Sequence, residues 1–164
     1  MFLRRDIMSQ NARDKSRQVY TLLNATLSSI KTVIPVESQV HKPKLLQEPF
    51  ILHYGALIGI IGDMHGKLVI SGDAKTFASI GQGMYGMQLE DEMLRSFSGE
   101  LANMIAGGIS TNLAKEQKEI MITTPTILEG NTKISGYKEA FELSIELNQM
   151  GMIDTYLLLD DQNS

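Results

Sequence analysis

Glu100 and Asn103 lie three residues apart inside SGELANMIAGGIS (residues 98–110). On a helix, that spacing makes their side chains neighbours on one side. An amide is neutral and cannot act as a general base, but it can hold a water through one donor and one acceptor and so fix its direction of attack. A carboxylate can pair with a cation on another molecule. An acid and an amide acting without a metal, His or Cys suit an electrophile that is already activated. Acyl phosphate hydrolysis fits, because its catalysis is chiefly positioning and charge neutralisation.

The surroundings of the pair are as informative. On a helical wheel over residues 92–114, Leu94, Phe97, Leu101, Met104, Ile105, Gly108 and Ile109 gather on a core arc. The opposite arc collects Glu92, Ser96, Gly99, Glu100, Asn103, Gly107, Ser110 and Ala114. A face that only meets water usually carries long charged side chains, whereas this one is nearly bare. Each Gly inside a helix costs about 1 kcal/mol relative to Ala, so Gly99 and Gly107 beside the pair suggest that something comes close. The bland reading is that Glu100 is merely solvated, Asn103 indifferent, and Gly108, with Gly107, serves helix packing. The Glu-x-x-Asn spacing alone is common by chance.

The elements that must hold this face follow from periodicity and breakers. A helix is predicted over 12–33, with apolar positions at Val19, Leu22, Leu23, Leu27 and Ile30, ending before Pro35. VESQVH (36–41) alternates as a strand, and KPKLLQEP (42–49), with two prolines, reads as a loop. Strands 50–62 and 66–72 flank a turn at Asp63-Met-His-Gly66. Asp73 can cap a short helix through Ile80, followed by GQGMYG (81–86) as a connector. A long helix over 89–116, a strand at 119–127 and a hairpin of 135–147 with 152–160 complete the chain. The prediction is an α+β domain, a largely antiparallel sheet with long helices packed on it. The halves repeat as helix, strand, hairpin, with Phe50 echoing Phe141 and Thr21–Asn24 echoing Glu100–Asn103. Residues 1–11 read as a flexible extension and 12–164 as one domain.

Other chemistries find little support. GQGMYG matches G-x-G-x-x-G letter for letter, but a helical segment precedes it where a dinucleotide site needs a strand. His41, His53 and His65 have no metal-ligand spacing, and no Ser sits in a G-x-S-x-G elbow. The chain has no Cys, which removes disulfides, zinc–thiolate sites and thiol nucleophiles. A net charge of −4 with interspersed signs gives no basic patch, so nucleic acid is not expected. The first residues are basic without an apolar run, unlike a secretory signal, and Met8 is an alternative start. GALIGIIG (55–62) is far short of the ~20 residues of a membrane helix. No membrane partner is expected, and the location is expected to be cytoplasmic.

The segment DEMLRSFSGELANMIAGGIS resembles the CheX branch of the CheC/CheX/FliY family, phosphatases of the phosphorylated chemotaxis response regulator CheY. The resemblance runs from about residue 16 onward and takes in GMYGMQLEDE and Thr124-Pro-Thr126. It implies that Glu100 docks onto the active-site Lys of a CheY-type regulator while Asn103 orients the water that attacks the phosphoaspartate. Glu92, Ser96, Gly99, Gly107 and Ser110 would form the docking face. The Mg²⁺ would belong to the regulator, so no metal or cofactor of the chain's own is implied. Some relatives carry two sites, but Thr21 stands where a second Glu would be, so one site is expected. A homodimer through strand pairing or sheet edges is also implied. KPKLLQEP gives no sign of an adaptor site. Two alternatives remain: a non-catalytic module of the same fold that docks a regulator or another signalling partner, and a dimeric structural domain with no regulator partner.

Overall fold

In the computed structural model, which describes residues 2–160, three helices pack on a single eight-stranded antiparallel sheet. In chain order these are α1 (Phe2–Val33), β1 (Ser38–Val40), β2 (Lys44–Leu46), β3 (Phe50–Gly62), β4 (Gly66–Ser71), α2 (Ala74–Tyr85) and α3 (Asp91–Lys115). They are followed by β5 (Ile120–Ile122), β6 (Thr126–Ile134), β7 (Glu139–Leu147) and β8 (Gly151–Leu159). The sheet order is β1-β7-β8-β4-β3-β5, with β2 also on β7 and β6 also on β3.

That order has an approximate two-fold symmetry. β5 meets β3 as Ile60↔Ile122 and Gly62↔Ile120, and β1 meets β7 in the matching register, Ile145↔Val40 and Leu147↔Ser38. The next strands agree as well, Leu57↔Thr126 against Glu142↔Lys44. Each half therefore lends its first two strands, β1 and β2 or β5 and β6, to the other half's hairpin. The halves join through β4 and β8, where Ile70 faces Thr155. The expected duplication is present, but its register is not the one marked by the two Phe residues. Phe141 pairs with Leu45 where its counterpart Ala56 pairs with Ile127, because β3 extends four residues further than β7 to reach along β6.

Between helices and sheet lies the main core, with Leu22 and Ile30 of α1, Phe77 and Ile80 of α2, and Leu101, Ile105 and Ile109 of α3 all fully buried. Leucines and isoleucines at helical spacing supply this stripe, and alternate residues of β3, β4 and β8 meet it. The opposite sheet face buries a smaller cluster around Leu52, Val69 and Leu158. There the Phe50 ring stacks on Tyr156 with centroids 4.0 Å apart. α1 and α3 run antiparallel and touch closely: Ser29 Oγ donates to the Ile105 carbonyl at 2.7 Å, and Asn112 Nδ2 donates to the Ala25 carbonyl at 3.1 Å. A Cβ on Gly108 would come within 2.1 Å of Ser29 Oγ, so only Gly fits that crossing.

Four elements differ from expectation. α1 starts at Phe2, so the expected extension over 1–11 is helical in its described part; no Gly or Pro interrupts residues 2–33. GQGM belongs to α2, which ends at Gly86 in the left-handed conformation (φ 71°), its N–H bonded to the Gln82 carbonyl. Gly81 is there for packing, since its Cβ would sit 2.4 Å from Leu89 Cδ1. Lys44–Leu46, expected as loop, pairs with β7. The single strand expected at 119–127 breaks into β5 and β6 at Thr123–Pro125. Thr123 wraps Gly59 by taking its N–H on Oγ1 and giving its own N–H to the Gly59 carbonyl, and Pro125 has no N–H to continue the ladder.

Candidate active site on the third helix

α3 presents Glu92, Ser96, Glu100 and Asn103 to solvent along one side, three or four residues apart. Its N-terminal half is anchored from beneath. Ser98 is fully buried, gives its hydroxyl to the Leu94 carbonyl and shares a 2.8 Å hydrogen bond with Tyr54 of β3. Burial pushes the Tyr54 hydroxyl above its ordinary value of 10.0. The Ser98 bond opposes that shift, Glu129 adds to it and Arg95 opposes it. Tyr54 is thus a neutral, fixed partner around pH 7.

Beside α3 lies an open groove of about 490 Å³ between the helix and the start of β6. Glu92, Arg95, Ser96, Gly99, Glu100 and Asn103 form one wall, with Pro125 and Ile127 on the other. The break between β5 and β6 puts Pro125 there. Gly99 is buried, and a Cβ on it would lie 3.5 Å from Pro125 Cγ and 3.6 Å from Ile127 Cδ1. Gly99 is thus floor rather than open surface, because β6 of the same chain lies against it.

Glu100 and Asn103 meet in this groove, and neither side chain has a hydrogen-bond or ion-pair partner among the described residues. Both can turn toward an incoming group. Gly107 and Ser110 carry the same face one and two turns further; they do not line the groove, and nothing lies within 4 Å of where a Gly107 Cβ would be. Three lining residues escaped the sequence reading. Arg95 is three residues from Glu92 and four from Gly99, a spacing that would have placed it there. Pro125 and Ile127 reach the site only through pairing of β6 with β3, which local pattern does not reveal. Among the described residues, no group of three or more His, Asp or Glu side chains is placed to hold a metal ion.

The family model described as chemotaxis phosphatase CheX matches residues 54–147. The CheY-P phosphatase CheX of Thermotoga maritima is 30% identical over 147 residues, covering 87% of this chain and 95% of that protein. The chain belongs to the CheX family. The matched span contains the whole of α3, hence both Glu100 and Asn103. Solved CheX structures share the fold. The chemotaxis protein CheX from Desulfovibrio desulfuricans superposes with a TM-score of 0.72 at 18% identity, covering 86% of this chain and 97% of that one. A CheX–CheY–BeF3–Mg²⁺ complex from Borrelia burgdorferi gives a TM-score of 0.72 at 21% identity, with 87% and 97% covered. Among the described residues of this CheX-family chain, no helix is long and apolar enough to cross a membrane.

Proposed function

We propose that this chain hydrolyses the phosphoaspartate of a CheY-type response regulator, with Asn103 and Glu100 as its working residues. The observation that carries this reading is the pair of exposed, unpartnered side chains on one groove of a CheX-family helix. Glu100 pairs with the regulator's active-site Lys and fixes the docked orientation. Asn103 projects into the regulator's site and holds a water by its amide. The water oxygen attacks phosphorus and the bond from phosphorus to the aspartyl oxygen breaks. Its electron pair returns to the Asp carboxylate, and the water's proton leaves with inorganic phosphate. The Mg²⁺ belongs to the regulator and counts as part of the substrate. Ser96, Gly107 and Ser110 keep the approach low, so the regulator's surface can lie along α3.

The test is phosphate release from a phosphorylated CheY-type regulator with Mg²⁺. Asn103→Ala lowers the rate on the order of a hundredfold or more while keeping most of the binding, and Glu100→Ala raises KM as well. Both positions are exposed, so each change stays within about 0.5 kcal/mol in stability. If neither wild type nor variant accelerates release but both bind the regulator, the chain is a docking module and the catalytic reading falls.

The chain is further proposed to act as a homodimer joined at a sheet edge. Support comes from β5, a three-residue edge strand whose Met121 is 68% exposed and pairs with Ile61, itself 45% exposed. An apolar cross-strand pair left in water beside open backbone groups favours a second strand.

A further inference from the structure

Arg95 is the sole cation among the groove's lining residues. Its guanidinium reaches across the groove to Glu129 of β6, Nη1 to Oε1 at 3.4 Å, and back along α3 to Glu92, Nη2 to Oε2 at 3.9 Å. Of the three carboxylates in this neighbourhood, two are therefore matched, and Glu100, a turn and a half further along the helix, is not. We infer that Arg95 is a specificity-determining residue: by occupying Glu92 and Glu129 it leaves Glu100 as the single carboxylate that can receive the partner's cation, and so sets the register in which the regulator docks.

The inference rests on the proposed phosphatase reading. Its physical basis is competition. A Lys ammonium is a compact charge that pairs with any free carboxylate within reach. Without Arg95, the upstream end of the groove would offer two more: Glu92, eleven residues or about three helical turns before Asn103, and Glu129 of β6. A regulator held there is bound with its phosphoryl group away from Asn103. Discrimination of this kind works by blocking the wrong mode rather than by adding a contact to the right one.

Competition of this type has a kinetic signature. A non-productive mode lowers kcat and KM by the same factor and leaves kcat/KM unchanged. Steady-state phosphate release is measured for wild type, Arg95→Gln and the double variant Arg95→Gln/Glu129→Gln, which returns the groove to its original net charge. The inference predicts that Arg95→Gln lowers kcat and KM together, by about two- to fivefold for exposed pairs of this kind, and that the double variant recovers part of both, since Glu92 stays unmatched in it. Two outcomes overturn it. If Arg95→Gln raises KM and lowers kcat/KM, Arg95 touches an acidic group of the partner. If the double variant is as impaired as the single, with a lowered melting temperature, Arg95 is a structural pin. Wild-type turnover in the same assay reports on the phosphatase reading itself. No acceleration by wild type sinks that reading, whereas wild-type turnover with either unfavourable variant pattern removes only the role of Arg95.

Discussion

Gly107 and Gly108 are chain neighbours with opposite surroundings. A methyl group on Gly107 meets open space, and one on Gly108 meets Ser29, which is already bonded to the Ile105 carbonyl. Gly107→Ala therefore raises stability by about 0.5–1 kcal/mol through helix propensity and a less flexible unfolded chain. Gly108→Ala lowers it by about 1–3 kcal/mol through overpacking. Urea denaturation of both variants reads the difference directly. On the proposed reading, Gly107→Ala also slows regulator dephosphorylation, because its methyl stands on the docking face; unchanged turnover there would confine docking to the groove. The counterpart face of α1 shows why one site is expected: Tyr20 (68% exposed) and Thr21 stand where α3 has Gly99 and Glu100. The side chains of α3 that could do chemistry were legible because helical spacing alone brings Glu100, Asn103 and Ser96 to one side. Burial of Gly99 was not, since what covers it arrives from a distant strand.

At the scale of elements, continuous apolar runs with Gly-bearing turns located β3 and β4 closely, and Pro35 marked the end of α1. Short strands were harder. β2 spans three residues next to a proline, and only the open edge of β7 makes Lys44–Leu46 extended. β6 reads as polar, TILEGNTKI, because it is an edge strand with much of its surface in water. Edge strands also carry the assembly prediction. Met121→Lys puts a charge in the proposed interface at the centre of β5, on a side chain that is exposed in the single chain. It converts a dimer to a monomer in sedimentation at micromolar concentration while leaving the fold intact. A dimer that survives the substitution places the interface elsewhere.

For the molecule as a whole, two buried phenols tie stability to alkaline pH. Burial raises Tyr156 far above its ordinary 10.0, with Glu142 and Asp154 adding to it, and burial likewise raises Tyr54. The folded chain keeps protons that the unfolded chain loses near pH 10, so the folded state binds more protons there and stability falls as pH rises. The stabilising contribution is complete below about pH 9 and declines from about pH 10 upward. Denaturation between pH 8 and 11 shows this decline, and Tyr156→Phe flattens it; a pH-independent midpoint in wild type would contradict the burial of both rings. The exchange of strands between halves has a consequence for the chain as it is made. When β4 has left the ribosome, both the outer edge of β4 and the outer edge of β3 await strands that lie in the second half. At typical synthesis rates β8 follows only about 5–20 s later. The nascent first half spends that interval as an apolar sheet fragment with two open edges, and it cannot settle until its own later residues arrive to close them.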